Sequence, residues 1–142
     1  MAKENTLRRM VYVGIGLVIA EAAFAAFVAI PRMALHPEVV SLGTVHAHWI
    51  FVIVKLIVAA ALLAFVIPNR HNLGRIKALL NLAGIVVIVL NIPLFSNAVF
   101  YSGEYGYYDV AILLSIRIVA NLIAGILFIA VPIKFERSTS EE

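Results

Sequence analysis

The chain has 142 residues, of which 63% are hydrophobic and only 13% charged, and its mean hydropathy is +1.04. Soluble domains are about 45–50% apolar and about 25% charged, and a soluble fold of this length cannot bury so much apolar surface. The composition therefore points to an integral membrane protein whose first partner is the lipid bilayer. It excludes a nucleic-acid-binding module despite the net charge of +3, and it excludes a soluble enzyme carried on a membrane anchor. There is no cysteine, which removes disulfides, a thiol nucleophile, thiolate metal sites and iron–sulfur clusters.

A membrane span needs about 20 apolar residues. Four segments qualify, at about 10–30, 44–67, 76–95 and 110–131. Pro31, Pro68 and Pro132 are expected to close the first, second and fourth, and Pro93 stands near the far end of the third. The first run is longer than a signal-peptide core of about 7–15 residues and reads as a span. Short connections predict an all-α, up-down four-helix bundle, a single transmembrane domain over 1–142. Lys3, Arg8, Arg9, Arg70, Arg75, Lys77, Lys134 and Arg137 fall on one side, whereas the other two connections carry only Arg32. That asymmetry predicts cytoplasmic termini.

Ionisable residues within spans are costly and normally face the bundle interior. Glu21, Lys55 and Arg117 lie within the first, second and fourth spans, with Asn91 in the third and Asn121 in the fourth. At 1.5 Å rise per residue they sit roughly 14, 16 and 11–12 Å below the outer boundary, respectively for Glu21, Lys55 and Arg117. One carboxylate and two cations at one level predict an intramembrane charge network. Glu21 pairs with Lys55 or Arg117, and one cation is left over for an anionic group or a partner's carboxylate. His48 and Lys55 share a helix face, as do Arg117 and Asn121.

Three of the 4 histidines fall within His36–His48 on the predicted outer side. His46 and His48 are two apart, so on a helix they diverge by about 200° and cannot both bind one ion. An extended His46-Ala47-His48 joined by His36 or Glu38 would instead suit copper or zinc. His48 is the better inward candidate because of Lys55. Interfacial histidines with Trp49 as an aromatic anchor are the plain alternative, and a proton relay is a third. The outer run Tyr101 to Asp109, rich in Tyr, reads as an aromatic belt, a lid over the histidines or a docking surface.

The stretch His36-Pro37 … Thr44-Val45-His46-Ala47-His48, followed by an apolar helix that closes at Ile67-Pro68-Asn69, resembles short four-helix bacterial and archaeal membrane proteins related to the catalytic subunit of heme–copper oxidases and nitric oxide reductases. The resemblance implies a prokaryotic cell membrane and an axial heme ligand at His48, or failing that His46. Lys55 and Arg117 would then face the heme propionates. Copper is the lesser alternative as cofactor. The Gly-Trp usual on that family's second helix is absent, Trp49 here following His48 directly, and no second histidine lies in another span.

Three functions follow as expectations. The first is a small subunit that binds heme b, or copper, near the outer leaflet and takes part in electron transfer in a respiratory or oxidising complex. The second is a non-catalytic accessory subunit packed against a larger membrane enzyme or its own copies. The third is a small transporter that uses Glu21, Lys55 and Arg117, against which the lack of an internal repeat counts.

Overall fold

Hydrocarbon offers no hydrogen bonds, so a chain crossing it must satisfy its own backbone. The computed structural model, which describes residues 2–38, 40–103 and 106–140, is accordingly helical, with no strand among the described residues. Helix α1 (Ala2–Phe24) runs through a π-helical turn (Ala25–Ala29) into α2 (Ile30–Ala34). Helix α3 spans Leu42–Val66, a short 3-10 turn (Leu73–Ile76) leads into α4 (Lys77–Val89), and α5 (Asn91–Gly103) and α6 (Tyr108–Ser140) follow. Four stretches are long and apolar enough to cross a bilayer: Lys3–Ala34, Leu42–Val66, Leu73–Tyr101 and Tyr108–Lys134.

The prolines act differently from one another. Helix α3 ends at Val66, just ahead of Pro68, as expected. Pro31 does not end the first span. The Ile30 N–H reaches back five residues to the Ala25 carbonyl, and this widened turn precedes a ring that would otherwise collide with the previous turn. Pro132 lies inside α6, which runs beyond the expected boundary. Pro93 sits in the first turn of α5, where a missing N–H is tolerated, and the third span breaks at Leu90 between α4 and α5. Ser41 caps α3, its hydroxyl accepting from the Thr44 N–H at 3.1 Å.

Successive spans alternate in direction. Arg32, at the end of the first span, bonds Asp109, at the start of the fourth. Leu7 and Val131, at their opposite ends, share one apolar cluster. That cluster fills the half of the bundle nearer the termini, with Val18, Ala59, Val87, Ala124 and Phe128 at its inner limit. Two smaller clusters fill the other half, around Leu94, Leu114 and Tyr101 and around Ala22 and Val52. Along every span, the polar residue falls between the two sets: Glu21 before Ala22, Lys55 after Val52, Asn91 before Leu94, and Arg117 and Asn121 between Leu114 and Ala124. All five are buried.

Helices α4 and α6 touch backbone to backbone. A methyl group at Gly84 would come 2.8 Å from the Gly125 carbonyl oxygen, and one at Gly125 would come 3.0 Å from that of Gly84. Small residues at such a crossing substitute close van der Waals packing for the hydrophobic drive that lipid removes.

Candidate functional site

Three helices deliver the charged centre. Glu21, four residues before the π-helical turn, extends both carboxylate oxygens to different partners. Lys55 Nζ of α3 donates to Oε2 at 2.5 Å, and Arg117 Nε of α6 donates to Oε1 at 2.6 Å. Lys55 and Arg117 are wholly buried, and Glu21 is 3% exposed. The structure thus brings together the three residues that depth alone aligned, and neither cation lacks a carboxylate contact. The formal charge of the trio is still one positive.

The chain of contacts continues outward. Arg117 Nη1 donates to His48 Nδ1 at 2.9 Å. A guanidinium only donates, so Nδ1 accepts and Nε2 carries the imidazole proton. The Asn97 amide of α5 lies 3.1 Å from that nitrogen and must present its carbonyl oxygen to it, an orientation assigned from the bonding pattern. Lys55, Glu21, Arg117, His48 and Asn97 therefore form one polar chain joining four helices. Beyond Lys55 toward the termini the core is the apolar cluster of Ala59, Leu62 and Val66, so the polar chain occupies one half of the bundle and does not cross it.

Asn91 donates to the Ile118 carbonyl at 3.2 Å and ties α5 to α6 beside the break at Leu90. Among the described residues, Arg117 Nη2, Asn91 Oδ1 and both polar atoms of Asn121 are buried with no protein partner.

His46 and His48 part as their spacing requires: His48 is 1% exposed, and His46 is exposed at the start of α3 beside Trp49. His36 belongs to neither. It stacks on Tyr107 at 4.3 Å, with Nδ1 3.5 Å from Glu38 and Nε2 3.8 Å from Asp109. Among the described residues, no group of three or more histidine and carboxylate side chains is placed to hold a metal ion. In this structure both ring nitrogens of His48 are engaged inside the bundle, and Lys55 and Arg117 each hold Glu21.

The two connections at the end of the bundle remote from the termini are clasped by a separate surface group. Arg32 Nε donates to Asp109 at 2.7 Å, and the Tyr107 hydroxyl donates to Glu38 at 3.0 Å. Within the tyrosine run, Tyr101 is a buried residue of α5, Tyr107 holds Glu38, and Tyr108 opens α6. Glu104 and Tyr105 lie outside the described residues. The Glu38 backbone N–H, and then the Tyr107 hydroxyl, hold the Glu38 carboxyl below its ordinary value of 4.5. A carboxyl depressed on folding adds stability above its unfolded value and loses it as pH falls through the folded one. Tyr107→Phe is therefore expected to raise the Glu38 value toward 4.5, seen by NMR titration of that carboxyl. The variant's deficit against wild type should be present at neutral pH and vanish in acid.

Asn97 is the residue of the site that sequence reading passed over, because it fell within the expected outer loop. Its place three residues after Leu94 and four before Tyr101, both buried, is the helical signal that marks it. Compared with known proteins, the chain matches no family model, no curated protein and no solved structure.

Proposed function

We propose that the protein is a small non-catalytic membrane subunit, with cytoplasmic termini in a prokaryotic cell membrane, that packs against a larger membrane enzyme or its own copies. One observation carries this reading: the three intramembrane charges and His48 are engaged with each other and with Asn97. Glu21 holds Lys55 and Arg117, Arg117 holds His48, and His48 holds Asn97. Such a network specifies how helices pair, a role for which buried polar groups are best attested. The apolar exterior of all four spans, from Phe27 and Ile57 to Phe95 and Ile126, is left for lipid and neighbouring helices. The apolar seal below Lys55 counts against a path for ions through one chain.

The test is the native mass of the tagged chain in mild detergent, read with an oxidised-minus-reduced visible spectrum. The expected result is an assembly well above 15.5 kDa with a flat spectrum. A stable, monodisperse single chain would overturn it.

Exposed His46 favours a second reading. Heme b, or copper, would be held at an interface between His46 and a ligand from another subunit, supplying one-electron transfer when bound. A Soret band lost in His46→Ala but kept in His48→Ala would establish this reading over the first. Loss in His48→Ala alone would return the ligand to the buried site and contradict both.

A further inference from the structure

Three arginines meet at the end of the bundle where α1 begins and α3 has ended. Asn5, Arg8, Arg9 and Tyr12 of α1, with Arg70 from the connection after α3, line a cavity of about 390 Å³. None of the five lining side chains is acidic. Arg8 donates to Asn5 within the cavity wall, and Arg70 Nε donates to His71 Nε2 at 3.2 Å. Each of these contacts uses part of a guanidinium that has five N–H groups, and neither partner is an anion. Three like charges around one cavity repel one another, and an anion placed among them relieves that repulsion.

The position of the cavity identifies the kind of anion. Arg8 and Arg9 immediately precede the apolar run that starts at Met10, and Arg70 follows the end of α3 at Val66. The cavity thus lies at the depth of lipid headgroups. Tyr12 is 39% exposed, and next to it Val13 presents an apolar side chain at 55% exposure. At the end of α3, Phe65 and Ile67 are exposed a few residues ahead of Arg70. A free anion has no use for these apolar flanks, whereas acyl chains descending from a headgroup would lie along them. Guanidinium forks match phosphate oxygens in pairs, and basic pockets between membrane helices suit anionic headgroups.

We propose that this cavity binds the phosphate of an anionic phospholipid, with its acyl chains against Val13 and Phe65. The protein in mild detergent, exposed to equal phosphatidylglycerol and phosphatidylcholine, should retain phosphatidylglycerol in native mass spectrometry. The preference should be about tenfold to a hundredfold, as three arginines near a headgroup allow, and should fall as salt is raised. The combined Arg8→Gln, Arg9→Gln, Arg70→Gln variant should lose it, whereas Lys134→Gln, which removes a cation outside the cavity, should keep it. Equal retention of the two lipids by wild type overturns the proposal and needs no variant to fold. So does retention of phosphatidylglycerol by the triple variant. If inorganic phosphate raises the melting temperature as far as phosphatidylglycerol does, the site takes a free anion and the lipid assignment fails.

Discussion

Glu21→Gln is expected to cost about 3–5 kcal/mol, a large share of the roughly 5–15 kcal/mol that holds a folded domain together. The carboxylate is 3% exposed and accepts from Lys55 and Arg117 at 2.5 and 2.6 Å. Glutamine keeps the shape but leaves two buried cations without a counter-charge. The cations themselves are not equivalent to it. Lys55→Met leaves Glu21 facing Arg117, a balanced pair, and replaces a buried ammonium by an apolar chain of similar length. That change should be mild, because exchanging buried charge for packed apolar volume is often neutral. The double change, Glu21→Gln with Lys55→Met, should recover part of the loss, since only Arg117 then stays uncompensated. Reversible unfolding in mixed micelles, read on the wild type and the three variants, gives the comparison. If Glu21→Gln proved as mild as Lys55→Met, the carboxylate would not be holding two charges.

The level of the charged residues was readable from sequence because rise per residue converts position into depth, and Glu21, Lys55 and Arg117 came out at similar depths. Their pairing followed from the cost of leaving any of them alone. What depth cannot give is valence. The sequence count left one cation over, whereas a carboxylate has two oxygens, and Glu21 offers one to each. The divergence of His46 from His48 was fixed by the 100° step of a helix, and the structure places one outside and one inside. The role of the buried ring was less legible, since a histidine facing inward suits a cofactor or an arginine equally well until its neighbours are known. Those neighbours, Arg117 and Asn97, come from helices distant in sequence.

The span boundaries show where local rules give way to the solvent. Pro68 ends a helix because the chain leaves the bilayer there and finds water. Pro31 and Pro132 do not: the helix runs on from the first to Ala34 and from the second to Ser140. The π-helical turn before Pro31 is the local adjustment. Asn97 was hidden by the same error: treating Pro93 as near an end placed Asn97 in a loop, whereas Pro93 opens α5.

Gly125→Ala should destabilise the protein by about 1–3 kcal/mol, although alanine is ordinarily the better helix former by roughly 0.5–1 kcal/mol. The new methyl group would lie 2.5 Å from Ile88 Cγ1 and 3.0 Å from the Gly84 carbonyl oxygen. The isoleucine can turn away, but the carbonyl belongs to the α4 backbone and cannot, so the helices must separate. Gly16→Ala provides the contrast, for a methyl group there meets nothing within 4 Å and should be neutral or stabilising. Gly84→Ala should resemble Gly125→Ala, its methyl facing the Gly125 carbonyl at 2.8 Å. Combining the two should cost less than their sum, because the first has already pushed α4 from α6. Thermal unfolding of the four variants in one detergent decides it. Equal behaviour of Gly16→Ala and Gly125→Ala would mean that α4 and α6 do not meet at these glycines. The crossing also matters to the polar layer. Gly125 lies one turn from Asn121 and two from Arg117 on the same face of α6. A displacement of α6 at Gly125 would therefore be carried to the guanidinium that joins Glu21 to His48.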